Sequence, residues 1–110
     1  MTVIYVDPVT QSAVVATDSA PGIYYQFESH DGLWTSSIRF QNGSPKTGGV
    51  NGLTNEALIA MLMHRLRLQT EKLSCVENWE ALAHLSAAQS ALTRRTEGRV
   101  ARGVEGQNVL

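Results

Sequence analysis

A single cysteine, Cys75, is all the thiol that this 110-residue chain contains. An internal disulfide and a set of soft metal ligands are thereby excluded, and a reducing compartment suits such a chain. Cys75 is read as a small packing residue in a first helical turn in preference to a nucleophile. No apolar run approaches the ~20 residues of a bilayer-spanning helix, and the first residues lack the basic stretch, apolar block and cleavage site of a secretory leader. A soluble cytoplasmic protein without a membrane partner is expected. Excess positive charge is missing too. Nine Lys and Arg against ten Asp and Glu leave a formal net charge of −1, so the basic face needed for duplex binding has no source and DNA is not an expected partner. The three histidines, His30, His64 and His84, are scattered, without the paired spacing of a helical zinc site. No nucleophile-elbow motif surrounds any serine. Neither a metal, nor a cofactor, nor a catalytic set is expected, and the chain reads as a binding protein, not an enzyme.

What is present divides into two periods. Residues 1–40 carry short runs of β-branched and aromatic residues, 2–6, 12–16, 23–27 and 33–40. Asp7-Pro8, Pro21-Gly22 and Asp31-Gly32 supply tight turns between them, which predicts an antiparallel meander. Glycines recur through 41–53 around Pro45, a connector that lacks the lysine and hydroxyl residue of a Walker phosphate loop. Residues 54–106 then read as two helices. Thr54 caps the first, which runs to about Lys72, and Ser74-Cys75-Val76-Glu77 has the spacing of a capping box for the second. So short a connection folds the helices back as an antiparallel hairpin. The expected class is α+β, one domain over 1–110, with a small N-terminal antiparallel sheet and a C-terminal two-helix hairpin.

The helical faces point to self-association. On the first helix Ile59, Leu62, Leu66 and Leu73 form one apolar line, and Leu58, Met61 and Leu68 form a second, interrupted by Arg65. One partner helix covers one of these. On the second helix Ala81, Leu85, Ala88 and Leu92 alternate small with large, a spacing that lets another helix approach closely. A homo-oligomer buries what is left over; the alternative is that the sheet covers it.

Four arginines, Arg94, Arg95, Arg99 and Arg102, crowd the end of the second helix of an otherwise near-neutral chain. If the helix persists through Gly98, Arg95, Arg99 and Arg102 share a face and present guanidinium forks that pair bidentately with phosphate. The competing reading is that these cations merely offset the helix dipole.

A series of motifs bears on that choice: Ser37-Ile38-Arg39-Phe40-Gln41-Asn42-Gly43, then Gly49-Val50-Asn51-Gly52-Leu53-Thr54, Arg65-Leu66-Arg67, Cys75-Val76-Glu77-Asn78 and finally Arg94-Arg95-Thr96-Glu97-Gly98-Arg99-Val100-Ala101-Arg102-Gly103-Val104-Glu105-Gly106. Over 37–106 this series resembles the helical hairpin domain of phage nucleotide-sequestering sponge proteins, the anti-Thoeris and anti-CBASS sponges. The β-rich leader makes it more similar to the anti-Thoeris type. The resemblance implies a homo-oligomer, hexameric in relatives, working in the bacterial host cytoplasm. It implies capture, without cleavage, of cyclic nucleotide immune messengers, chiefly glycocyclic ADP-ribose isomers and in some members cyclic di- or trinucleotides. It places the ligand asparagine on Asn78, the phosphate-facing arginines on Arg95 and Arg99, and a further polar contact on Arg39. Where relatives stack an aromatic residue on adenine, this chain has Leu68; Trp34, Trp79, Tyr24 and Tyr25 are alternative platforms. Two other readings remain: a phage structural or assembly protein whose helices bundle, and a hydrolase of such messengers.

Overall fold

The computed structural model describes residues 1–103. The chain divides into two compact units, Met1–Leu53 and Thr54–Leu110, the second described as far as Gly103. The expected α+β class holds: a four-stranded antiparallel sheet precedes the helices.

The first unit is a meander of β1 (Thr2–Val6), β2 (Ala13–Ala16), β3 (Tyr24–Glu28) and β4 (Thr35–Arg39), in that spatial order. Each connection carries its own chemistry. After β1 the Asp7 carboxylate accepts from the amides of Val9 (2.8 Å) and Thr10 (3.1 Å), and before β4 the Asp31 carboxylate accepts from Leu33 N–H (3.0 Å) and the Ser29 hydroxyl (2.7 Å). These side chains satisfy amides that have no ladder partner. The pairings Tyr5↔Val14, Val14↔Phe27, Phe27↔Ser36 and Tyr25↔Ile38 put Tyr5, Tyr25 and Phe27 on one face. There Phe27 meets Trp34 edge-on at 5.0 Å, and Tyr25 meets Phe40 at 5.8 Å. Only Val15 among the apolar residues of this unit is buried, and it lies on the opposite face, paired with Gln26.

The connector is more structured than its glycine content suggests. It contains a single helical turn, α1 (Pro45–Gly48), capped by the Ser44 hydroxyl. Its ends are stapled by side chains. Gln41 Oε1 accepts from Asn51 N–H at 2.9 Å, Gln41 Nε2 donates to the Gly49 carbonyl at 2.9 Å, and Asn51 exchanges two hydrogen bonds with the Asn42 backbone at 2.7 and 2.9 Å. Phe40 and Leu53 form a parallel bridge beside this staple. Gly52 passes so close that a Cβ there would overlap the Phe40 carbonyl and lie 2.7 Å from the Arg39 carbonyl oxygen. Only glycine fits.

The second unit is the expected hairpin, α2 (Asn55–Lys72) and α3 (Val76–Ala101). Thr54 Oγ1 caps α2 by accepting from Ala57 N–H at 3.1 Å. The expected capping box at Ser74 is not formed. Cys75 is the N-cap residue of α3, and Ser74 Oγ instead accepts from Trp79 Nε1 at 3.0 Å, because the indole competes for the same hydroxyl. Cys75 is exposed, so it is not a packing residue of the single chain. The less exposed positions are 56–59, 63, 66 and 70 on α2 and 78, 81, 82, 85, 89, 92, 96 and 99 on α3, and among them 56, 59, 63, 66, 70 and 78, 82, 85, 89, 92, 96, 99 recur by threes and fours. That seven-residue repeat is the seam of two packed helices. Met63 and Leu82 are its buried apolar members; buried Thr70 satisfies its hydroxyl on the Leu66 carbonyl at 2.7 Å. Gln89 Nε2 donates to the Glu56 carbonyl at 3.2 Å, which fixes the antiparallel register. Among the described residues no helix is long and apolar enough to cross a membrane.

Candidate functional site

Helix α3 continues unbroken through Gly98 to Ala101, with Arg102 as its C-cap and Gly103 following at φ 71°. The condition for aligning the arginines is therefore met: Arg95 and Arg99 lie one turn apart. Their settings differ. Arg95 is exposed, whereas Arg99 is 5% exposed on the seam side and already engaged in an interaction, as is Arg102. A buried guanidinium is tolerable only when its donors are met, and no buried side-chain nitrogen or oxygen among the described residues lacks a partner. The final Val104-Glu105-Gly106 of the motif lies outside the described residues.

Asn78 lies in the first turn of α3, half-buried on the same seam line as Arg99. Eleven residues from the Gln89–Glu56 contact toward the hairpin turn, it stands level with Arg67, beside Leu68 of α2. Asn78 and Leu68 thus share the turn end of the hairpin. The arginines belong to the other end. Seventeen residues separate Asn78 from Arg95 along one helix, which at a rise of 1.5 Å per residue is roughly 26 Å, and Arg99 is about 6 Å farther. Arg39, the last residue of β4, is exposed in the sheet unit, paired in register with Tyr24. The five residues singled out from the sequence do not form one cluster within the chain.

Leu68 is 46% exposed. It lies in a shallow cleft of about 350 Å³ with His64, Arg65, Gln69 and Lys72. Met61, on the same helical line beyond Arg65, and Leu62, on the neighbouring line, are also exposed. Of the alternative aromatic platforms, Trp79 is tied to Ser74 and Trp34 leans on Phe27, yet each is 58% exposed, so neither is core of the single chain. His84 stands 3.7 Å from Glu80 on an exposed helical face, and His64 borders the Leu68 cleft. Among the described residues no three metal-ligating side chains converge.

No protein-family model matches the chain. It is similar, however, to Thoeris anti-defense 1 of Bacillus phage SBSphiJ7: 42% of 72 aligned residues are identical, spanning 64% of this chain and 51% of the relative. It spans about half the length of that curated relative. This likeness supports the resemblance drawn from the motif series on its anti-Thoeris side.

Two features of this chain were missed in the sequence. Gln41, Asn42 and Asn51 stood within quoted motifs, but their role as a loop staple depends on pairing across the 42–50 loop, for which a linear sequence has no signal. Arg65 and Lys72, flanking Leu68, did leave a signal: neither has an acidic residue three or four positions away on its helix.

Proposed function

We propose that this chain is a phage anti-defence protein that blocks Thoeris signalling by binding cyclic nucleotide messengers, chiefly glycocyclic ADP-ribose isomers, and holding them uncleaved in the host cytoplasm. Cyclic di- or trinucleotides of CBASS signalling are further candidate ligands of the same chemical class. Arg95 and Arg99 take the phosphates, Asn78 bonds ribose or base, Leu68 packs on the base, and Arg39 contributes from the sheet.

The observation that carries this reading is the separation of its base end from its phosphate end. A gap of roughly 26 Å along a single helix is wider than one compact cyclic nucleotide spans, so Asn78 and Arg95 of the same copy serve different pockets. Each pocket is completed by a second copy lying antiparallel, whose arginines reach the first copy's Asn78 and Leu68. The exposed Met61, Leu62 and Leu68 give such a copy apolar surface to cover. A homo-oligomer, a hexamer by family resemblance, follows. Capture alone suffices, because removing a messenger requires only a dissociation constant below its signalling concentration and enough protein to match it.

The test is calorimetric titration of the pure protein with glycocyclic ADP-ribose, followed by heat release and mass spectrometry of what comes off. Stoichiometric binding and intact ligand are expected, and Arg95→Ala is expected to remove binding while leaving the assembly size unchanged. Conversion to linear product in excess of protein would establish a hydrolase. Absence of binding across a panel of cyclic nucleotides would leave the bundled structural protein.

A further inference from the structure

We propose that Arg65 and Lys72 contact ligand phosphate in the Leu68 cleft, so that this end of the hairpin selects a nucleotide by its anionic charge more than by its base. The inference rests on the capture reading above and adds two residues and a selection rule to it.

Residues 65, 68 and 72 are spaced by three and four, which sets them in one line on α2. All three are exposed and border the same cleft, with the apolar Leu68 between two permanent cations one turn to either side. On a merely solvated helical face an acid one turn away stabilises a cation. Here the residues one turn from Arg65 are Met61, Leu62, Leu68 and Gln69, and those one turn back from Lys72, the last residue of α2, are Leu68 and Gln69. Among the described residues neither cation has a carboxylate within ion-pair distance. An apolar floor bracketed by unneutralised positive charge is complementary to a body with one flat apolar face and anionic groups at its edges. A nucleotide carrying a pyrophosphate has that form. Gln69 supplies an amide at the border, able to donate to or accept from a base edge. Leucine contributes no stacking to discriminate one base from another, whereas a guanidinium and an ammonium respond directly to the number of phosphate charges.

The experiment titrates the full-length protein and three variants, Arg65→Gln, Lys72→Gln and Arg67→Gln, with glycocyclic ADP-ribose at low and high salt, and repeats each with inorganic pyrophosphate as competitor. Arg67 belongs to the same helix, carries the same charge and does not border the cleft, so it reports general electrostatics. Arg65→Gln and Lys72→Gln are each expected to weaken binding roughly tenfold to a hundredfold, the range of a lost charge-assisted hydrogen bond. Both flatten the salt dependence and blunt competition by pyrophosphate, while Arg67→Gln stays within about twofold. Unchanged helical circular dichroism and assembly size show that the variants fold. Equal effects at all three positions, or none at 65 and 72 while the parent protein captures its ligand, overturn this inference and leave sequestration standing. A parent protein that binds nothing overturns both.

Discussion

If each pocket takes Asn78 from one copy and Arg95 from another, two dead variants mixed together must regain function. Asn78→Asp removes a donor and adds a charge repelling phosphate, yet Asp is favoured in the first turn of a helix, so α3 still forms. Arg95→Glu reverses an exposed charge without disturbing the seam. Alone, each variant carries a damaged residue in every pocket. After co-refolding at equal amounts, about half of the two-fold pairs are mixed, and one of the two pockets in each mixed pair combines an intact Asn78 with an intact Arg95. About a quarter of all pockets should then bind with parental affinity. The geometry decides the sign: at 1.5 Å of rise per residue the two positions are roughly 26 Å apart in one chain, so a single-chain pocket has no route to recovery. Calorimetric stoichiometry before and after mixing measures it. A mixture that binds no more than its two components do separately would refute the shared-pocket argument, provided that sizing shows mixed assemblies.

Two further outcomes concern the sheet unit. Gly52→Ala forces a methyl group into the backbone of residues 39 and 40, which has no rotamer to yield, and should cost on the order of 3 kcal/mol; thermal denaturation should show a midpoint lowered by roughly ten degrees or more. The Asp31 carboxyl is held below the ordinary aspartate range, first by the Leu33 amide and next by the Ser29 hydroxyl. A carboxylate with a depressed folded value stabilises above its unfolded value, and that contribution is lost as pH falls through the folded one. Denaturant stability should therefore hold down to about pH 4 and decline below it, with a shallower decline in Asp31→Asn; identical acid profiles for the two proteins would remove the turn from the account.

The helices that carry the candidate residues were legible in the sequence, and how those residues stand relative to one another was not. Thr54 and Lys72 bounded α2 correctly because caps and helical period are local. Ser74 misled because its hydroxyl had a second suitor, Trp79, five residues on. Arg95 and Arg99 look equivalent in sequence, one turn apart and flanked by similar residues, yet one is exposed and the other buried. Their difference is set by packing, to which helical spacing is blind.

The sequence by itself determined the order of elements, their period and the turn chemistry between them, since each depends on residues within about a helical turn of one another. It also carried the anti-Thoeris resemblance, which a relative 42% identical over 72 aligned residues supports. The tertiary structure decided which of α2's apolar lines became the seam. Leu58, Ile59, Met61, Leu62, Met63, Leu66 and Leu68 surround that helix, and only docking against α3 singled out Met63 for burial and left Met61, Leu62 and Leu68 outside. It likewise decided that Gln41, Asn42 and Asn51 staple a loop, and that Asn78 and Arg95 stand at opposite ends of a rod. Such facts depend on distances between residues remote in sequence, which exist only once the chain has folded.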